Sequence, residues 1–380
     1  MRFGRADVAV VGMGPAGRAV AHRLLVHGAR VVVVDPAPQR PWWQTYAGWQ
    51  WQLPSWLDAS VVGARCGRPV LRGHAGHVLG DEYLVLDTAA LQQQLDLSGA
   101  RQVAELVHDE QLADLAPVVV DARGSHPLPA RTRRDGQVAV QSAYGVVLEA
   151  DRAEDLLAGA TAVLMDWRPH DGSASWGRRR PSFCYLIPLP DGRVLVEETS
   201  LAARPAMDRG ELRHRLVLRL GRHGVSAREL AGTPTERVHI PLQARARRHG
   251  SGPATIHPVG AAGPQLNPIS GYTVFASLAQ ADRFAQQVLA DEPPRGRRLP
   301  DPRRVALPAL DRLSGDATMA LFDGFGRLSA ERQRAVMDPQ AGTGPVLAAM
   351  GTQWWRMPAR FRPALVAATV RGAADAGSQR

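Results

Sequence analysis

Two groups of residues in this 380-residue chain have the types and spacing to do chemistry. Gly12, Gly14 and Gly17 stand at G-x-G-x-x-G spacing in VAVVGMGPAGRAV, between an apolar strand and a helix that starts near Pro15. At that spacing the first glycine permits a tight turn, the second lets the backbone approach a pyrophosphate, and the third lets the helix lie close on the sheet. The free N–H groups and positive dipole end of the helix, at Pro15 and Ala16, then face that pyrophosphate. Asp35 ends the next strand, 18 residues after Gly17, where it can accept hydrogen bonds from a ribose. The unit predicts a bound dinucleotide; the alternative is a vestigial nucleotide fold with no ligand. The second group is Glu197 and Glu198, consecutive in GRVLVEETSL. On a strand they face opposite sides of the sheet, so only one can point into a given pocket. A carboxyl buried among apolar groups stays protonated near neutral pH and can serve as a general acid. By residue type alone, such a pair is more commonly a solvated strand edge.

Several elements must position these residues. Residues 1 to about 36 form a βαβ half-unit. Leu84–Leu95 predicts a short strand and then a helix capped by Asp87 or Thr88. VVVDARG (118–124) predicts a buried parallel strand whose Asp121 lies near the cofactor. From about Gln137 the pattern becomes short alternating strands at 138–150, 161–168, 181–190 and 192–201, the last two joined by a Pro190-Asp191-Gly192 turn. Met207–His223 predicts an arginine-rich surface helix with a wet face, and ERVHIPL (236–242) another strand. IHPVGAAGPQLNPISGYTVFASL (256–278) predicts a strand, a Gly/Pro-rich loop and a helix start that return the chain to the nucleotide fold. Residues 293–309 read as a linker, and the remainder as largely helical.

The formal charge is +10, and all 46 basic residues are arginine. Such an excess attracts anionic surfaces. Nucleic acid is not expected as a partner, because no recognition motif accompanies the charge. Cys66 and Cys184 form no C-x-x-C, and the histidines show no metal-binding spacing, so neither a disulfide framework nor a metal site is expected. No apolar run approaches the ~20 residues needed to span a bilayer. The first strand starts close to Met1, which predicts no signal peptide and a cytoplasmic protein. Gln353–Arg371 mixes Trp354, Trp355 and Phe361 with four arginines, a composition suited to peripheral contact with a membrane. Pro358 and Pro363 argue against one regular helix there.

The glycine turn, VVVDARG and the late loop follow the order of FAD-dependent proteins in which a substrate sheet interrupts a Rossmann domain, which favours FAD over NAD. The expected fold is α/β: a Rossmann-like FAD-binding domain (1–136 and 251–292), an inserted antiparallel substrate sheet (137–250) and a helical C-terminal region (293–380). Narrower motifs are present as well: DPAPQRPWWQTYAGW (35–49), QSAYGVVLE (141–149), MDWR (165–168), PSFCYLIPLPDGRVLVEETSLAARP (181–205), ERVHIPL, and GAAGPQLNPISGYTVFASLA (260–279). In these, and in their order, the chain resembles the lycopene cyclase family of carotenoid biosynthesis.

That resemblance implies a redox-neutral cyclisation at the end of a hydrophobic linear polyene such as lycopene. A carboxylic acid protonates a terminal alkene, an internal double bond attacks the resulting cation, and loss of a ring proton ends the reaction. It implies FAD, needed reduced but not consumed, with NAD(P)H as an electron source. It also implies Glu197 as the proton donor with Glu198 as its neighbour, and cofactor contacts at Gly260, Ala261, Gly271 and Tyr272 beside those of the glycine turn. Such a site must exclude water and stabilise positive charge. Trp49, Tyr144, Trp167 and Tyr185 are candidates for the pocket, with Trp42, Trp43, Tyr46, Trp51 and Tyr272 as further aromatics. Gln50 and Gln52 depart from relatives that carry acids there, which leaves the ring type open, along with a different polyene or a true oxidoreductase on the same scaffold. The oligomeric state is not specified by these motifs.

Overall fold

The computed structural model describes residues 6–124, 138–177, 179–242, 254–290, 292 and 301–377. The chain begins β1 (Val8–Val11), α1 (Pro15–Val26) and β2 (Val31–Val34), followed by β3 (Ala47–Trp49), β4 (Val62–Arg65), β5 (Val70–Arg72), β6 (Gly76–Val78) and β7 (Tyr83–Leu86). After α2 (Thr88–Gln94) come β8 (Arg101–Val103) and β9 (Val118–Asp121). Next are β10 (Val140–Leu148), α3 (Ala150–Leu157), β11 (Val163–Asp166), β12 (Phe183–Pro188), β13 (Val194–Ala203), α4 (Arg209–Gly221) and β14 (Thr235–Pro241). Then β15 (Thr255–Pro258) leads into α5 (Val274–Leu289). Five helices end the described chain: α6 (Pro302–Leu310), α7 (Gly315–Gly326), α8 (Ala330–Met337), α9 (Thr343–Arg356) and α10 (Arg362–Gly377).

Strands β15-β9-β1-β2-β8 form one parallel sheet. Its three central strands, β1, β2 and β9, read as near-continuous valine runs because both faces are covered. Val8, Val10, Val31 and Val33 pack with Leu24 of α1 and Leu278 of α5, whereas Ala9, Val11, Val32 and Val34 pack with Leu112 and Leu115 on the other side. As expected, the Asp87 carboxylate caps α2, accepting from the N–H groups of Ala89 and Ala90.

The second sheet runs β14-β10-β13-β12-β11-β5-β6. Strands β10 to β14 lie in the chain between β9 and β15, which are neighbours in the first sheet, so the second sheet is an insertion into the parallel fold. One of its faces carries Phe183, Tyr185, Ile187, Leu195 and Leu201 against Tyr83 and α7 residues Met319 and Phe322. The other carries Cys184, Leu186, Val194 and Val196 against Leu216 and Leu220 of α4. This alternation decides where Glu197 and Glu198 point.

Three expectations are corrected. Strands β5 and β6 belong to the nucleotide-fold segment in sequence but join the second sheet, through parallel pairing of β5 with β11. Residues 302–309, read as linker, lie in α6, started by Pro302 behind an Asp301 cap; residues 293–300 and the expected boundaries at 136/137 and 250/251 lie outside the described residues. Helix α4 is not simply wet, because Arg215 and Arg219 are buried.

Candidate active site

The glycine turn has the geometry its spacing predicts. Gly12 has φ +97°, and a Cβ there would meet the Ala122 carbonyl oxygen at 2.6 Å. A Cβ on Gly17 would collide with the Gly12 carbonyl. Those two glycines serve the chain's own packing. Gly14 differs: a Cβ built there meets nothing within 4 Å, so the helix N-terminus opens on free space. No side chain caps α1, and its first turn holds no acid, which leaves the N–H groups of Ala16 and Gly17 available to an anion. Asp35 accepts from Met13 N–H at 2.9 Å and Ala37 N–H at 2.8 Å. Each carboxylate oxygen retains acceptor capacity for a ribose hydroxyl. The turn and its acid fit a dinucleotide pyrophosphate and ribose.

Asp121 already has a partner within the chain. Its carboxylate is buried in a two-pronged pair with Arg123, at 2.8 Å on each side. The guanidinium two residues away holds that carboxylate inside the chain's own packing, and the backbone of Ala122 is what approaches the turn.

The late loop connects this turn to the second sheet. Gly260 (φ +70°) lets the chain pass so close to α1 that a Cβ would stand 2.9 Å from that of Ala16. Ala261 follows in the same tight turn. Asn267, not singled out from sequence, organises the rest: its oxygen accepts from Ile269 and Ser270 N–H, and its amide donates to the Val336 and Met337 carbonyls. Its only sequence signal is its place before Pro268. Gly271 (φ +71°) donates to the Asn267 carbonyl. Tyr272 then reaches the sheet rather than the glycine turn: its hydroxyl accepts from Tyr83 OH at 2.9 Å, and Tyr83 lies 3.2 Å from Tyr185 OH. Burial pushes the Tyr272 phenol up to about 12, and Tyr83 and Tyr185 well above the usual phenol range. All three remain neutral donors or acceptors.

Glu197 belongs to this cluster. It pairs across strands with Tyr185 on one side and Gly145 on the other, so it projects from the same face as Tyr185. It is buried, and its Oε1 has no hydrogen-bond partner among the described residues. Burial, reinforced by the Glu236 carboxylate, raises its carboxyl to about 8. Glu197 is therefore a neutral acid at pH 7 with a free oxygen in an aromatic enclosure. Trp49 is buried edge-on against Tyr83, with centroids 5.2 Å apart. Gln50 and Gln52 follow it in a short 3₁₀ turn, Gln52 buried and Gln50 exposed.

Glu198 points the other way. Arg219 donates to its two oxygens at 2.9 and 3.3 Å, and Ser182 Oγ donates to it at 2.5 Å. It is a fully buried structural anion. Asp166 and Arg168 pair beside it at 2.5 Å. Tyr144, expected in the pocket, is in register with Glu198 and lies on this second face, because its side chain alternates away from Gly145. Trp167 is on the Glu197 side but is packed between Phe183 and Phe322, centroids 4.8 and 4.7 Å away. Among the other aromatics, Trp42 donates to the Met13 carbonyl at the glycine turn, and Trp43 is largely exposed.

An apolar cavity of about 640 Å³ lies between this face and the C-terminal helices, lined by Met165, Leu201, Ile269, Phe322, Leu347 and Val366 among others. Leu201 is on the strand and face of Glu197, four residues further along, or roughly 13 Å at strand rise. Glu197 itself does not line the cavity.

The family model described as lycopene cyclase protein matches residues 7–333. A protein of Deinococcus radiodurans described as an uncharacterized carotenoid cyclase is 32% identical over 298 residues, 74% of this chain and 70% of that one. The lycopene beta cyclase of Synechococcus elongatus is 29% identical over 75% of this chain and 72% of its own. The chloroplastic lycopene beta cyclase of Nicotiana tabacum is 29% identical over 74% of this chain, and the match spans 60% of the plant protein. In fold, the structure is similar to a geranylgeranyl bacteriochlorophyll reductase-like protein of Thermoplasma acidophilum (TM-score 0.54, 15% identity, 96% of this chain and 99% of that one). It is also similar to the halogenase PltM (TM-score 0.53, 13% identity, 98% of this chain and 96% of that one). With the glycine turn, the late loop and the buried glutamate in the order described, the chain belongs to the lycopene cyclase family.

Proposed function

We propose that this protein cyclises the end group of lycopene or a similar linear polyene, with Glu197 as the acid that starts the reaction. The observation that carries this reading is a buried, neutral glutamate with an unpartnered oxygen, enclosed by tyrosines. Glu197 gives its proton to a terminal alkene, an internal double bond closes the ring on the cation, and a ring proton leaves, so substrate and product have equal mass. The phenols of Tyr83, Tyr185 and Tyr272 and the ring of Trp49 exclude water and present π-faces to positive charge. The cavity beyond Leu201 would take the rest of an apolar chain.

The cofactor in this reading is FAD in its reduced form, with NAD(P)H as electron source. Bound there, it supplies an electron-rich ring that favours a nearby cation without being consumed. Gly14, Ala16 and Gly17 would hold its pyrophosphate and Asp35 a ribose. Since a Cβ on Gly14 meets no protein atom within 4 Å, Gly14→Val should fold normally and lose FAD, read by flavin absorbance of the purified protein against its circular dichroism. Retained flavin in that variant would refute the assignment.

A bilayer-borne substrate requires contact with lipid. No helix among the described residues is long and apolar enough to cross a membrane. Yet Val305, Leu347, Val366 and Val370 line the cavity and are 49–63% exposed at its mouth. Trp354 lines the cavity with them, and Arg362 lies 5.5 Å from its ring and 4.6 Å from that of the exposed Trp355. The prolines break the segment as expected, into α9, a 3₁₀ turn at Ala359–Phe361 and α10. Apolar groups beside guanidinium groups suit an anionic lipid surface. Flotation should recover more protein with anionic than with neutral vesicles, and equal recovery would remove the arginines from the argument.

Expression in cells that accumulate lycopene, with pigment analysis, tests the function. Cyclic carotenoid of unchanged mass supports it. A gain of two hydrogens or one oxygen would instead assign an oxidoreductase.

A further inference from the structure

Glu197 has a second carboxyl for company. Gly145 on β10 is in register with Glu197 on β13 and, on its other side, with Glu236 on β14. Residues in cross-strand register project from one face, so the two glutamates flank a glycine on the cavity side of the sheet. Two strand spacings put their backbones about 10 Å apart. Gly145 leaves the space between them open: a Cβ there would stand 2.5 Å from Glu197 Cγ and 3.1 Å from its Oε1. Glu236 is not idle. Thr45 donates to one of its oxygens from its N–H at 3.0 Å and to the other from its hydroxyl at 2.7 Å. Burial raises the Glu236 carboxyl above its ordinary value, and the two Thr45 bonds, which favour the ionised form, offset part of that rise. Glu197 has no such donors on Oε1.

We propose that Glu236 is the positioning residue of the buried acid: its carboxylate, anchored by Thr45 across the gap at Gly145, keeps the proton on Glu197. This rests on the cyclase reading for its purpose, though not for its physics. Two carboxyls with a shared face and unequal donors divide the roles, one holding the charge and the other the proton. The remaining groups that face the pair are Tyr185 and Tyr272 at Glu197, Cys184 across the sheet, and Tyr46 at Glu236 with Arg40 beyond it. Tyr46, Tyr185, Tyr272 and Cys184 are neutral near pH 7, because burial raises each of them. Among the described residues no ion pair reaches Glu197.

The test is isotope-edited infrared titration of ¹³C-glutamate-labelled full-length protein, with the Glu197 band identified by its loss in Glu197→Gln. The protonated-carboxyl band should disappear around pH 8 in the wild type. Glu236→Gln preserves an acceptor for Thr45 and removes the charge. It should move the midpoint to lower pH by up to about one unit, the size expected for a like charge about 10 Å away. Glu236→Asp, which keeps the charge, should restore most of the shift. The alkaline limb of the cyclisation rate should move with the band. A midpoint unmoved in Glu236→Gln, or moved equally in Glu236→Asp, overturns the proposal. A band that shifts as expected in a protein that forms no cyclic pigment upholds the pair and overturns the function instead.

Discussion

Glu197→Gln is expected to lower the cyclisation rate at least ~100-fold, the usual order for a removed general acid, while leaving folding and flavin binding intact. Glutamine fits the same enclosure and keeps a carbonyl oxygen in place of the unpartnered Oε1, but it has no acidic proton to give. Run in D2O, the wild-type reaction should place one deuterium on each new ring, at the carbon that was protonated. The pH dependence carries the same signature. The working form of Glu197 is the protonated one, so the rate should be level below pH 7 and fall as pH rises through about 8. Stability follows the same sign: the folded state keeps a proton that the unfolded chain releases near 4.5, so wild-type stability declines as pH rises from there to about 8. Glu197→Gln should show no such decline. Cyclisation at the wild-type rate, or product without label, would sink the role of this residue.

Arg219→Ala is expected to cost about 3–5 kcal/mol of stability, the range for stranding one partner of a buried pair. Glu198 is fully buried and Arg219 nearly so, joined at 2.9 Å, with the guanidinium also donating to the Arg168 carbonyl at 3.0 Å. Removing the cation leaves a carboxylate served, among the described residues, by Ser182. Urea unfolding reads the loss. Glu198→Gln should be milder, since it deletes the charge along with the pair's attraction. A loss below ~1 kcal/mol would mean that water reaches Glu198 when Arg219 is gone. The contrast between the two neighbours is diagnostic: Glu197→Gln should damage rate without stability, and Arg219→Ala stability first.

The nucleotide fold was legible from short-range pattern. Valine runs on both sides of a glycine turn need cover on both faces, and G-x-G-x-x-G admits few backbones, so β1, α1, β2 and the parallel place of β9 follow from local chemistry. Period-two alternation also settled that Glu197 and Glu198 part company. Which face each would meet was a tertiary matter. Only the packing of α4 on one face and α7 on the other made Glu198 a structural anion and Glu197 a neutral acid, and the same packing took Tyr144 from the pocket. Arg219 read as a wet helix position because nothing local signals its partner: Glu198 is 21 residues away on another element. The pairing of Asp121 with Arg123, two residues on, was likewise not read from the sequence. Tyr83, Tyr272 and Glu236 come from three segments far apart in the chain and meet only through strand register and a late loop. Composition and spacing determined the scaffold, and the family resemblance singled out Glu197; the sheet's register and the helices covering it decided that residue's charge, its companions and its enclosure, because burial and neighbouring charge are properties of what surrounds a side chain.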